Sequence, residues 1–373
     1  MTMALSVVFF LLLVSSSTAF ASSCPPSDLA ALLDFKASME ESKMGFFRTW
    51  TGTNCCKGWY GISCDQNNGR VADIELRGET EHPPVYLHSS RIAPTPGFMS
   101  GKIPVSICNL DRLTTLVLAE WKNISGTIPD CIVNLPILRI LDLVGNKITG
   151  KLPEKIGKLQ RLTVLNVGDN LIHGSIPSSL PNLKSLMHLD LSDNKLTGTI
   201  PSNFGNLKML SRALLARNQI SGDIPSSIGT IYRLADLDLS SNRITGHIPT
   251  SLGSIRVLST LFLDLNKLTG TIPKSVLGSK GVNSLNISHN ALEGDIPDVF
   301  GPHSYFTALD LSYNKLKGRI PISLLTASYV GHLDLGYNHL CGGIPKGSPF
   351  NHLEASSFVG NDCLCGKPLT KKC

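Results

Sequence analysis

From Leu141 to Pro345 one phrase, L-x-L-x-x-N-x-[L/I]-x-G-x-[I/L]-P, returns with few substitutions at a fixed step of 24 residues. Asn146, Asn170, Asn194, Asn218, Asn242, Asn266, Asn290, Asn314 and Asn338 mark nine copies, and Gly150 to Gly342 and Pro153 to Pro345 keep the same step. A unit this short cannot bury its own apolar side chains and is stable only between neighbours, so the copies must stack. Leu138, Leu141, Leu143, Ile148 and Leu152 form one such set, each contributing about 1.5–3 kcal/mol when buried. Leu141-Asp142-Leu143 alternates as a strand does, leucines inward and aspartate outward. Strands stacked about 4.8 Å apart make a parallel sheet on one face. The repeated Asn belongs inside, bonded to the backbone of adjoining coils, because a buried unpaired amide costs about 1–3 kcal/mol. Gly tolerates positive φ and Pro fixes φ while removing a donor, so the pair shapes the opposite wall.

This period and Leu/Asn spacing are those of leucine-rich repeats. The G-x-[I/L]-P ending resembles the plant-specific class, which implies additional strand on the side wall and a superhelical twist. The expected fold is an α/β solenoid of about 11 repeats with a parallel concave β-sheet and disulfide-stapled caps. The expected division is a signal peptide over 1–21, an N-terminal cap over 22–70, the repeat array over 71–345 and a C-terminal cap over 346–373.

The leader has an apolar run from Ala4 to Val14 and ends in Ala19-Phe20-Ala21, a small-residue cleavage site. Polar Ser15 to Thr18 interrupts the run before the roughly 20 apolar residues a membrane span requires. All ten cysteines follow the leader, which points to an oxidising compartment. Four lie before the repeats and four after, where exposed solenoid ends require caps. The N-terminal cap is expected to hold an amphipathic helix, with Ser27-Asp28 as its N-cap region and Leu29, Leu32, Leu33 and Phe35 on its apolar face.

Two irregular repeats precede the nine. In the first, Leu76 to Gly101 spans 25 residues where the regular distance is 7, an insertion of 18 within residues 78–99. The second carries one extra residue and a glycosylation sequon, Asn123-Ile124-Ser125. A second sequon starts at Asn286 on the exposed face of a strand, where a glycan would exclude a partner. No span, kinase or lipid-anchor tail follows Cys373, so a secreted module of the extracellular space or cell wall is expected, acting freely or leaning on another protein to signal.

Function must be sought in what varies. The central outward strand position reads Val117, Asp142, Asn166, Asp190, Leu214, Asp238, Phe262, Asn286, Asp310 and Asp334. L-D-L-S is ordinary phrasing for this repeat, so the interruptions at Leu214 and Phe262 carry more than the aspartates. Interface hot spots favour aromatic and Arg residues. The concave face around His188, Arg212, Leu214, Arg217, Asp236, Asp238, Phe262, Asp264 and Leu265 is therefore the expected partner site. The residue after each repeated Asn gives a weaker stripe, Lys147, Lys195, Arg243, Lys267 and Lys315. With a net charge of +6 it could hold a polyanion such as pectic polysaccharide. Catalysis finds no support: H-E-x-x-H, G-x-S-x-G, G-x-G-x-x-G and a P-loop are all missing. No cofactor, metal or nucleic-acid partner is implied.

The Cys55-Cys56 cap and the G-x-[I/L]-P repeats resemble the polygalacturonase-inhibitor family of plant walls. Closer still is a resemblance to plant proteins labelled DNA-damage-repair/toleration. It is carried by Leu207-Lys208-Met209-Leu210-Ser211-Arg212, Ala291-Leu292-Glu293-Gly294, Gly331-His332-Leu333-Asp334, the stretch His352 to Phe358, and Cys363-Leu364-Cys365-Gly366. The family implies disulfides Cys24–Cys55, Cys56–Cys64, Cys341–Cys363 and Cys365–Cys373. Cys108 and Cys131 remain, in helical segments of consecutive coils, and are expected to pair. The implied partners are an extracellular protein or peptide, a receptor kinase or a microbial pectinase, in defence, development or stress response. A repair role fits poorly with a leader, disulfide caps and the lack of a concentrated basic patch.

Overall fold

The computed structural model describes residues 24–41, 45–78 and 98–373. The leader and residues 79–97 of the insertion lie outside the described residues. The repeats coil into a solenoid whose concave wall is a sheet of 12 strands among the described residues. Its edge is Ile62–Cys64, antiparallel to Val71–Arg77; every later strand, through Tyr329–Asp334, runs parallel to its neighbour. Register repeats the sequence step, with Leu141 opposite Leu165, Leu189 opposite Ala213 and Leu237 opposite Leu261. A broken side wall adds sheets of three, two, two and five short strands. The wall opposite the sheet consists mostly of 3-10 turns of three to five residues, such as Ser226–Thr230 after Pro225.

The repeated leucines and isoleucines fill one continuous core from Leu32 in the cap to Leu364. The Asn ladder stitches it together. The Asn170 amide donates to Leu143 O at 3.0 Å, Val167 O at 3.2 Å and Gly168 O at 2.9 Å, while its Oδ1 accepts Ile148 N–H at 2.9 Å. Each Asn thus ties its own turn to the preceding coil. The turn has a conformational consequence. The residue before each Asn adopts a left-handed backbone, φ +49° at Asp169 to +54° at Ser241, Gly145 and Gly360 included at +69° and +71°. Non-glycine residues there cost roughly 1–2 kcal/mol, offset by the buried amide bonds.

The ladder is longer than the nine repeats. In the second coil Trp121 stands in the Asn position, its indole N–H donating to Leu76 O at 3.0 Å. In the C-terminal cap Asn361 donates to Leu335 O at 3.0 Å and accepts Leu340 N–H at 2.9 Å. Asn146, whose preceding coil carries the extra residue, differs from the rest: its Oδ1 is buried without a partner.

Five disulfides join Cys24 to Cys55, Cys56 to Cys64, Cys108 to Cys131, Cys341 to Cys363 and Cys365 to Cys373. Cys108 and Cys131 lie in the 3-10 turns Val105–Asn109 and Asp130–Asn134, with Cα atoms 5.9 Å apart. The N-terminal helix, Pro26–Ala37, corrects one expectation. Its N-cap is Pro25, and no side chain caps it. Asp28 is fully buried instead, taking Arg70 Nη2 at 2.8 Å and Val71 N–H at 2.9 Å. A buried carboxylate requires such pairing. Leu33 points outward rather than into the core, at 45% exposure.

Candidate functional site

The acidic stripe on the concave sheet has a local cause. Asp190 Oδ1 accepts the Ser192 N–H at 2.9 Å and its hydroxyl at 2.6 Å. Asp238 does the same with Ser240 at 3.0 and 2.7 Å, and Asp310 with Ser312 at 3.0 and 2.7 Å. Asn286 fills the same role toward Ser288 at 3.1 and 2.8 Å. These bonds close the chain into the left-handed residue that follows, in the manner of an Asx turn. Among the nine regular repeats two coils forgo this acceptor: Leu214-Leu215-Ala216 and Phe262-Leu263-Asp264. In the second, polarity is exchanged, the apolar ring taking the carboxylate's place and the carboxylate the serine's. Each forgone hydrogen bond is worth about 1 kcal/mol.

Strand pairing brings most of the expected residues together. His188, Arg212 and Asp236 are consecutive partners across three strands, as are Leu214, Asp238 and Phe262. Arg217 and Leu265 stand apart, on the rim formed by the left-handed residues, with Ser241 between them. The two arginines are already engaged. Arg217 holds Asp193 bidentately, one contact at 2.6 Å, and Arg212 Nε lies 3.3 Å from Asp236 Oδ2. Burial lowers the His188 pKa and nearby Arg212 lowers it further. Asp264 is pushed up to about 6, first by burial, against its own backbone N–H; Asp238 and Asp310 add to the rise and His289 opposes it. Burial also raises Asp334, against the Gly336 N–H, with Asp310 adding and His332 and His289 opposing.

The stripe after the Asn ladder follows the side wall, where Lys147, Lys195, Arg243, Lys267 and Lys315 are all exposed. Lys147 Nζ donates to Asn123 Oδ1 at 2.8 Å, so one sequon sits beside this stripe. The other, Asn286, lies in register between Phe262 and Asp310 on the concave face.

A feature absent from the sequence reading lies farther along the rim. His289, Tyr313 and Tyr337 stack ring on ring, with centroids 4.2 Å apart at each step and planes within 17° and 14°. Leu265 precedes them, and Gly360 ends the column where a Cβ would come within 2.6 Å of the Tyr337 ring. The signal was available, because reading the residue before each ladder Asn yields the column Leu265, His289, Tyr313, Tyr337 at the same step of 24.

Family models match this architecture: a leucine-rich repeat N-terminal domain over residues 25–65, a leucine-rich repeat region over 129–217 and a single leucine-rich repeat over 233–255. The chain carries the leucine-rich-repeat fold. Among its relatives, the DNA damage-repair/toleration protein DRT100 of Arabidopsis thaliana is 54% identical over 34% of this chain and 32% of its own. A polygalacturonase inhibitor of Vitis vinifera is 30% identical over 37% of this leucine-rich-repeat chain and 35% of its own. The chain thus spans about a third of the length of these two curated relatives. A plant ice-binding protein superposes with a TM-score of 0.70 at 26% identity, covering 94% of this chain and 98% of that one. The plant peptide hormone receptor RGFR1, solved with RGF2, gives 0.62 at 34% identity over 71% and 46%. Among the described residues no helix is long and apolar enough to cross a membrane.

Proposed function

We propose that this leucine-rich-repeat chain is a secreted, non-catalytic recognition module of the plant cell surface, binding an extracellular protein or peptide across its concave sheet. The observation that carries this is the pair of coils that give up their turn-closing carboxylate. Leu214 and Phe262 stand half-buried on the outward face of the sheet at a local cost, and Asp264 is held where its charge is disfavoured. Unfavourable local choices of this kind cluster where a surface serves a partner. Five disulfides support folding in an oxidising compartment, which argues against a nuclear or plastid repair role. The basic stripe of the side wall is where a polyanionic wall glycan would rest.

The test is affinity capture from apoplastic fluid, with a receptor ectodomain and a fungal polygalacturonase offered separately. The expected result is capture that the Phe262→Ala/Arg212→Ala double variant loses and the opposite-wall variant Val105→Ala keeps. Capture equal across all three forms would overturn the proposal. Inhibition of the polygalacturonase by the native chain, lost in the double variant, would make that enzyme the partner.

A further inference from the structure

The geometry points to a sharper assignment, resting on the recognition reading above: the rim Leu265, His289, Tyr313 and Tyr337, with Asp310 and Asp334 beside it, docks an extended peptide segment bearing lysine or arginine. Leu265, Tyr313 and Tyr337 expose 50%, 43% and 47% of their surfaces and lie in consecutive coils with exposed His289. Tyrosine offers large, rigid, amphipathic contact at low entropic cost, which makes it a frequent interface anchor. The column spans three coil steps, about 14 Å, the reach of four or five extended residues. A second stack, Tyr305 on Tyr329 at 4.9 Å, borders the other end of the same two strands.

Charge selects the class of partner. From the Asp236–Asp238 strand to the Tyr329–Asp334 strand, the outward and rim positions among the described residues hold aspartates and histidines but neither lysine nor arginine. The charged groups acting on Asp264 and Asp334 are likewise Asp238, Asp310, His289 and His332. Cationic side chains would balance these carboxylates. A polygalacturonate would be repelled. A neutral glycan stacks on ring faces, but Tyr313 lies between two rings and Tyr337 between Tyr313 and Gly360. Ring edges and hydroxyls remain, which suit a peptide.

The experiment is fluorescence anisotropy on the full mature chain with a fluorescein-labelled arginine–glycine repeat peptide. A glutamate–glycine peptide serves as control and oligogalacturonate as competitor. Saturable binding of the arginine peptide alone is expected. Tyr313→Ala/Tyr337→Ala and Asp310→Asn/Asp334→Asn should each weaken it at least about tenfold, or about 1.4 kcal/mol. The Asn substitutions keep the turn, as Asn286 does in its own coil. Asp295→Asn/Asp298→Asn on another wall should change nothing. Equal loss in that variant, no loss at the rim, or no binding by the native chain would overturn the assignment. Displacement by oligogalacturonate would do the same, as would a glycopeptide spectrum with Asn286 fully occupied. If partner capture depends on Phe262 and Arg212 while the rim variants change nothing, this assignment falls and the broader reading stands.

Discussion

In the middle coils the rim closes on itself: Arg217 grips Asp193 across one coil step, and Arg212 leans on Asp236 on the sheet beside it. Three coils beyond Arg217, the same left-handed backbone position carries His289, then Tyr313 and Tyr337, stacked and half exposed, beside carboxylates with no lysine or arginine among them in the described residues. The backbone of the two regions is the same to within a degree or two of φ. What differs is whether the side chains satisfy each other. A column of alternating charge needs little from outside, and its exposed pairs contribute at most about 1 kcal/mol each. An aromatic column above unbalanced aspartates leaves attraction unused, which is the condition for a partner to gain by docking. By sequence, the interruptions at Leu214 and Phe262, with arginines nearby, point to the middle coils. The ion pairs shift weight toward the last ones.

If the contrast lies in the surface alone, the scaffold should be equally sturdy in both regions. Asn218→Ala and Asn314→Ala each leave a buried N–H and several carbonyls without partners. At about 1–3 kcal/mol per orphaned group, each should cost at least about 3 kcal/mol, by nearly equal shifts in urea midpoint. A much larger loss at one site would break the comparison, since one region would then be the weaker scaffold. Asp264 gives the next largest effect. Its folded pKa is raised from 3.8 to about 6, so the native state holds the proton more tightly than the unfolded chain. Stability therefore falls as pH rises from about 4 to about 6 and stays reduced above. Burial sets that window first; of the charged groups facing it, Asp238 and Asp310 add to the rise and His289 opposes it. Asp264→Asn should stabilise the protein at neutral pH by about 1 kcal/mol after allowance for solvent screening. At about pH 4 the difference should vanish. A variant destabilised at neutral pH would show that the carboxylate is structural rather than held for a partner.

How much was legible follows from which residues repeat. The ladder, the strands and the core recur every 24 residues, and repetition turns weak local preferences into a strong reading. Trp121 and Asn361 escaped because they perform the ladder's work outside its phrase, one through an indole and one inside the cap. Asp28 escaped for a different reason. Beside Ser27 at a helix start it has the pattern of a cap, and only its distance to Arg70, far along the chain, makes it the anchor of a buried ion pair. Pairing also misled at the site, since Arg217 is read from its type, whereas its engagement with Asp193 depends on the turn that brings consecutive coils into contact. The aromatic rim was hidden only by the choice of column. It lies in the residue before each Asn, outside the outward strand positions.

That column also offers the finest test of the comparison, because both halves of it can be cut at equivalent places. A double-mutant cycle on Asp193 and Arg217 should return a coupling of about 0.2–1 kcal/mol that shrinks with added salt, as exposed ion pairs do. The same cycle on Tyr313 and Tyr337 should return about 0.5–1.5 kcal/mol, indifferent to salt, since stacked rings attract through dispersion and quadrupoles. Salt sensitivity, more than magnitude, separates the two. Were the tyrosine coupling also to fade in salt, the stack would be held by the surrounding carboxylates rather than by its own rings. The last coils would then be a charged surface of the same kind as the middle ones.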